Sequence, residues 1–224
     1  MSTSSNAALS RETLKSLRDW WFEHVPPTRL TDTHVEKASV NRWFMGTAET
    51  DDYCRQHYSG ALESTRDLSM EQLVDLGNNP EDALSMILLL DQMPRNIYRG
   101  DSARIAYEET DPRALELAKL FTRPPKDYDA RQNWTNWWQQ YFFYLPFVHS
   151  EKLEDHDMYD TKMVRSLELV ETEMEKKAIE YSREWEAGHR KVLEQFGRYP
   201  ARNQALGRKS TPEEVELLKA GRGW

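Results

Sequence analysis

Apolar residues recur along this chain at helical rather than strand spacing. Leu14, Leu17 and Trp21 fall at i, i+3 and i+7 behind Ser10, a good capping residue, and Pro26-Pro27 closes the segment. A second helix is expected to open at Thr31 or Asp32, carrying Val35, Ala38 and Trp43 until Gly46-Thr47 breaks the pattern. A third, over about 49–65, places Tyr53, His57, Tyr58 and Leu62 near one face. Ser69-Met70-Glu71-Gln72 has the form of a capping box and predicts a short helix to Leu76. Asn79-Pro80-Glu81-Asp82 supplies a cap, a first-position proline and first-turn acids. The helix it opens holds Ala83, Met86, Ile87 and Leu90, should be deeply buried, and is expected to end at Met93-Pro94.

Asp111-Pro112 starts another helix, and Thr122 to Asp129 reads as a polar linker. An aromatic-dense helix comes next over about 130–144 and stops before Pro146. Residues 158–196 contain no proline and only Gly188 among glycines, which predicts one long helix with Gly188 as the place for a break. Ser210-Thr211-Pro212-Glu213 opens a terminal helix. No alternating β-branched run bounded by turn dipeptides occurs. The chain therefore reads as all-α. It is expected to have about nine or ten helices in antiparallel hairpins, one of them long and in the C-terminal half. Residues 1–9 are expected to be a flexible N-terminus, and 10–224 a single helical domain.

Composition narrows the partners. Thirty Lys and Arg against 38 Asp and Glu leave a net charge of −8 in 224 residues. That balance argues against nucleic acid and against an anionic membrane surface as partners. No apolar stretch approaches the roughly 20 residues of a spanning helix. Met1 to Ala8 lack the pattern of a signal peptide, so the expectation is a soluble cytoplasmic protein. A single cysteine, Cys54, forbids an intrachain disulfide and argues against a cysteine zinc site. Cys54 is read as an inert helix residue, although Arg55 and His57 lie nearby.

Three segments set polar residues against the most apolar stretches: Asp91 to Gly100, Leu145 to Glu151, and Gly197 to Arg208. Arg95, Arg99, Arg198, Arg202 and Arg208 carry planar forks suited to carboxylate or phosphate. They either line an anion pocket or tie helix ends to Asp91, Glu151 or Asp155. His149 beside Glu151 is either a general acid or base, or a turn-holding residue. Glu154-Asp155-His156-Asp157 is read as a solvated acidic turn rather than a metal site, and Asp51-Asp52 as first-turn acids. Trp134, Trp137, Trp138 and Tyr141 share one helix face. That face is either core or an aromatic wall for a ligand; with eight tryptophans in the chain, some should line a groove.

The segments LLLDQMPRNIYRG, FFYLPFVHSEKLED and FGRYPARNQALGRKSTPEE together resemble the helical family catalogued as domain of unknown function 924. The resemblance runs from about Trp20 to Leu218 and implies a tetratricopeptide-like, all-α arrangement. It carries the family's polar pattern onto Asp91, Gln92, Arg95, Asn96, Arg99, His149, Ser150, Glu151, Gly197, Arg198, Arg202, Asn203 and Arg208, and an Ala-x-His element onto Ala187-Gly188-His189. There are departures: Ala201 where the family usually has histidine, His156 where it usually has glutamine, and the stretch from Thr122 to Gln140, which fits the family poorly and is richer in tryptophan.

The expectation for function is a pocket for a small, anionic, partly apolar ligand. Asp91, Arg95, Arg99, Trp137, Arg198, Arg202, Asn203 and Arg208 would bind it. His149 would act as acid or base with Glu151 orienting it, and His189 is a second candidate. The chemistry would be a hydrolysis, isomerisation or elimination needing no metal and no cofactor. The alternative is a helical-repeat-like module that binds an acidic peptide or partner helix without catalysis.

Overall fold

The structure is a computed structural model describing residues 8–25, 37–130, 133–134 and 136–224. Most of the expected N-terminal segment, Pro26-Pro27 and the expected start of the second helix with Val35 lie outside the described residues. Among the described residues every regular element is helical and no strand occurs.

Local signals fix most helix starts. Ser10 caps α1 (Arg11–Trp21), whose Leu14, Leu17 and Trp21 are fully buried as their spacing requires. A short α2 (Lys37–Val40) leads into a π-helical turn, Asn41–Met45. Thr47 caps α3 (Ala48–Ser64). Both halves of a capping box close on α4 (Met70–Leu76), Gln72 N–H donating to Ser69 Oγ at 3.2 Å and Ser69 N–H to Gln72 Oε1 at 2.8 Å. Asn79 caps α5 (Pro80–Ile87), and α7 (Asp111–Phe121) begins with Pro112 in its first turn.

The helix opened at Asn79 does not stop at Met93-Pro94. A π-helical turn, Leu88–Gln92, links α5 to α6 (Met93–Ile97), and Met93 N–H reaches the Leu88 carbonyl five residues back. Pro94 then falls in a fresh first turn, where its missing N–H costs no bond. The resulting rod packs against α1, α3, α4, α7 and α8 and forms the centre of the core.

The aromatic helix is shifted from its expected position. It is α8 (Trp137–His149), capped by Asn136, and Pro146 lies inside it. Burial nearly all round outweighs the proline's local penalty. His149 thereby becomes the last residue of a rigid helix instead of a loop residue.

The expected long helix is two: α9 (Leu153–Glu168) and α10 (Glu173–Phe196). The break falls at residues 169–172, because Thr172 caps α10 by accepting from Glu175 N–H. Gly188 stays helical, and a Cβ there would lie 3.3 Å from the Trp224 ring. The glycine thus makes room for the indole. A second capping box starts α11 (Pro212–Lys219) one residue later than the Ser210-to-Glu213 pattern predicts: Thr211 is the cap and Glu214 closes back on its N–H.

Helices α8, α9 and α10 pack in chain order, whereas α1 packs on α5 and α3 on α6. No helix among the described residues is long and apolar enough to cross a membrane. Leu117, fully buried on α7 within the core, tests the packing. Leu117→Ala should cost about 2–5 kcal/mol. Urea titration should show that loss as a lower midpoint at an unchanged slope.

Candidate functional site

Three π-helical turns aim side chains at one place. The turn Asn41–Met45 carries Trp43 and Phe44, the turn Leu88–Gln92 carries Asp91 and Gln92, and the turn Ala106–Thr110 carries Tyr107 and hands over to Asp111. Such a turn inserts a residue into the helical repeat and so re-aims the side chains beyond it, and these turns are frequent at functional sites.

Asp91 has no exposed surface. His149 Nδ1 lies 2.7 Å from its Oδ1, Gln92 Nε2 donates to Oδ2 at 2.6 Å, and an Arg95 guanidinium nitrogen is 3.7 Å from Oδ1. Arg95 also donates to the Asp91 carbonyl and forks onto Asp111 at 2.7 and 3.0 Å. Arg202 donates to the His149 carbonyl at 2.7 Å and approaches Asp111 at 3.7 Å. Its guanidinium lies 4.6 Å from the Tyr107 ring centroid and 4.8 Å from that of Tyr199.

Burial alone would raise the Asp91 carboxyl, but His149, Arg95 and Gln92 facing it outweigh burial and hold the group below the usual carboxylate range. Burial, with Arg95 adding to it, pushes His149 below the usual histidine range despite Asp91. At neutral pH the pair is therefore carboxylate and neutral imidazole. A carboxylate accepts, so Nδ1 carries the proton and Nε2 keeps its lone pair. Nε2 makes no hydrogen bond among the described residues.

His149 lines a cleft of two adjoining lobes of about 200 and 300 Å³. Trp43, Phe44, Gln92, Arg95, His149 and His189 border both lobes. The smaller lobe adds Tyr141, Leu145, Val148, Tyr159 and Trp185, with Ser182 and the Glu186 carboxylate on the α10 side. The larger adds Arg99, Tyr107, Arg202 and Trp224. Arg99 forks onto Asp51 at 2.9 and 2.6 Å, and Gly46 lets it pass, since a Cβ there would lie 2.8 Å from its guanidinium. The carboxylates sit behind the arginines. The side chains of Asp51, Asp91 and Asp111 are 11%, 0% and 9% exposed, while those of Arg95 and Arg99 keep 23% and 49%.

The remaining expected site residues divide clearly. Asp91, Arg95, Arg99, Arg202 and His149 come together at or directly behind the cleft. Glu151 lies elsewhere: it takes both forks of Arg208 at 2.9 Å and the Tyr199 N–H at 2.8 Å. Arg198 forks onto Glu214 at 2.7 and 2.9 Å, and Asn203 donates to Ser210 and Glu214. These four residues tie the segment after α10 to α11 and to the start of α9. Trp137 and Trp134 are core residues, and of the expected aromatic face only Tyr141 reaches the cleft.

Residues 154–157 open α9 rather than a solvated turn. Asp155 is buried, and His156, with no exposed surface, contacts Glu186 at 2.6 Å and the Ser150 carbonyl at 2.9 Å. Burial pushes the Cys54 thiol up to about 12, with Asp51 adding to it. Among the described residues no three His, Cys, Asp or Glu converge to hold a metal ion. Sequence reasoning passed over Tyr107, Asp111, Trp185 and Trp224. Asp111-Pro112 was legible as a helix start, but nothing local tells that the Asp faces Arg95.

A family model described as a bacterial protein of unknown function (DUF924) matches residues 17–222. The solved structure of a protein of unknown function, ATU0120 from Agrobacterium tumefaciens, is similar, with 29% identity and a TM-score of 0.60. The match covers 83% of this chain and 92% of that one. No functionally curated protein matches the sequence.

The charge network sets two outcomes. Arg202→Ala strips a buried cation from Asp111 and the His149 carbonyl and should destabilise by about 3–5 kcal/mol. For a chain of this length each kcal/mol lowers the thermal midpoint by roughly 2–4 °C. A midpoint indistinguishable from the parent's contradicts the pairing.

The second outcome is pH-dependent. Burial holds His189 at about 3, against roughly 6.5 in an unfolded chain. Between those values the unfolded state binds the extra proton, so stability rises with pH and is lost on acidification. The melting temperature should therefore drop on acidification from neutral pH into that window, and His189→Phe should make the drop smaller.

Proposed function

The chain belongs to the DUF924 family of bacterial proteins of unknown function, and from that premise we propose that its cleft binds a small, partly apolar anion on which His149 acts as general base. The single observation that carries this reading is the Asp91–His149 pair at the cleft, in which Nε2 makes no hydrogen bond among the described residues. A neutral imidazole whose other nitrogen is held by an ionised, buried carboxylate is set up to accept a proton. When Nε2 takes it, Asp91 faces the resulting imidazolium at 2.7 Å and stabilises it. The orienting carboxylate is thus Asp91 and not Glu151.

Arg95, Arg99 and Arg202 support the anionic half of the reading. Each is fixed from behind by a carboxylate or a carbonyl, so its orientation is set before a ligand arrives. Tyr141, Leu145, Val148 and the tryptophans of the smaller lobe support the apolar half. The chemistry is proton transfer by the protein's own groups, in a hydrolysis, an isomerisation or an elimination.

A second reading has one observation in its favour. Phe44, Met45, Tyr181, Trp185 and Trp224 are all exposed, and three of them border the cleft. An apolar rim of this kind suits a tetratricopeptide-like module that takes an acidic peptide.

A thermal-shift screen of small carboxylates, phosphates and acidic peptides separates the two. At about 100 times Kd a ligand adds about 2.7 kcal/mol, or roughly 5–10 °C here. The proposal expects small anions with an apolar body to score, and His149→Asn to keep binding while abolishing turnover of any hit that reacts. Stabilisation by peptides alone, or by none of these compounds, refutes it.

A further inference from the structure

One cleft residue has no part in the proton transfer assigned to His149. His189 borders both lobes, beside Arg95 and His149. Its ring is stacked on Trp224 at 4.0 Å between centroids and meets Tyr199 edge-on at 5.9 Å. Nδ1 lies 3.1 Å from the Trp185 carbonyl one helical turn back. A carbonyl can only accept, so Nδ1 carries the proton and Nε2 is an acceptor. Nε2 has no hydrogen-bond partner among the described residues. Flipping the ring would forfeit the Trp185 bond.

The charges limit the anion. Arg95, Arg99 and Arg202 face Asp51, Asp91 and Asp111, a fourth acid, Glu186, lines the smaller lobe 2.6 Å from His156, and burial pushes both cleft histidines below the usual histidine range. A site with no surplus of positive charge before binding suits a carboxylate better than a phosphate dianion. The apolar lobe adjoins the same junction.

Resting on the proposed anion-binding reading, we infer that the ligand is an apolar carboxylic acid bearing a hydroxyl or amino group on the carbon next to the carboxylate. The carboxylate meets the arginines, the apolar group enters the smaller lobe, and the hydroxyl or amino group donates to His189 Nε2. Three attachments of different chemistry at one junction also fix the ligand's hand. His189 is a specificity residue in this scheme and accepts no proton from the reacting bond.

The test measures affinity by calorimetry near neutral pH with 3-phenylpropanoate, each enantiomer of 3-phenyllactate, phenylalanine, and uncharged 3-phenylpropanamide. One 3-phenyllactate enantiomer or phenylalanine should bind roughly three- to tenfold tighter than 3-phenylpropanoate. His189→Phe keeps the aromatic stack and should erase that difference. Equal affinity of the substituted and unsubstituted acids for the parent protein overturns the inference while leaving the anion reading intact. Equal affinity for the amide and the acid, or no binding by any probe, overturns the anion reading and the inference with it. If His189→Phe does not fold, the comparison on the parent protein alone decides.

Discussion

An ionised carboxylate with no exposed surface must be answered by donors, and Asp91 is answered from three elements. Its own neighbour Gln92, Arg95 one turn further along the rod, and His149 at the end of α8 all converge on it. Away from water each of these attractions is stronger, and an unpaired charge correspondingly costlier. The demand spreads outward. Arg95 brings in Asp111 at the start of α7, and Arg202 brings in the segment after α10 through Asp111 and the His149 carbonyl. The ends of four separate segments are thereby fixed around one anion, and the cleft is the space they leave on their open side.

This arrangement makes the site and the fold a single network. Alanine at Arg202 removes a cleft wall and a buried ion-pair partner together, so loss of function there reports on both. His149 and His189 differ in this respect. Each spends Nδ1 on the protein, and neither Nε2 makes a hydrogen bond among the described residues, so chemistry at Nε2 is separable from folding. The guanidinium groups of Arg95 and Arg99 face outward with acids behind them, whereas Arg202 is buried as deeply as Asp111.

What the sequence displayed, it displayed locally. Ser10, Ser69, Asn79 and Thr211 announce their helices because a cap acts within three residues. Leu14, Leu17 and Trp21 announce a buried face by spacing alone. Thr172 with Glu175 is the same kind of signal and was outweighed by a long proline-free stretch, which is why α9 and α10 read as one helix. Pro94 and Pro146 misled in the other direction. A π-helical turn before Pro94 and burial around Pro146 are tertiary effects that no local rule contains. The site was legible in part for the same reason. Asp91, Arg95, Arg99, His149 and Arg202 stood out as polar residues set in apolar surroundings, and they do converge. Glu151 is next but one to His149 in sequence, yet the partner of His149 is Asp91, on another helix. Arg198, Arg208 and Asn203 have the same composition as cleft residues, but they find Glu214 and Glu151 instead. Trp137 shares a helix face with Tyr141 and still points into the core. Which arginine meets which acid is decided by the packing of helices distant in the chain, and composition does not carry that information.

The central claim is that Asp91 fixes His149 with its proton on Nδ1 and its lone pair at the cleft. Long-range proton–nitrogen correlation NMR of the histidine side chains at neutral pH, with His149→Asn used to assign the signal, reads this directly. The account predicts a neutral His149 protonated on Nδ1, with the nitrogen shift of Nε2 in the unprotonated range. A proton on Nε2, or a charged imidazolium at that pH, contradicts it.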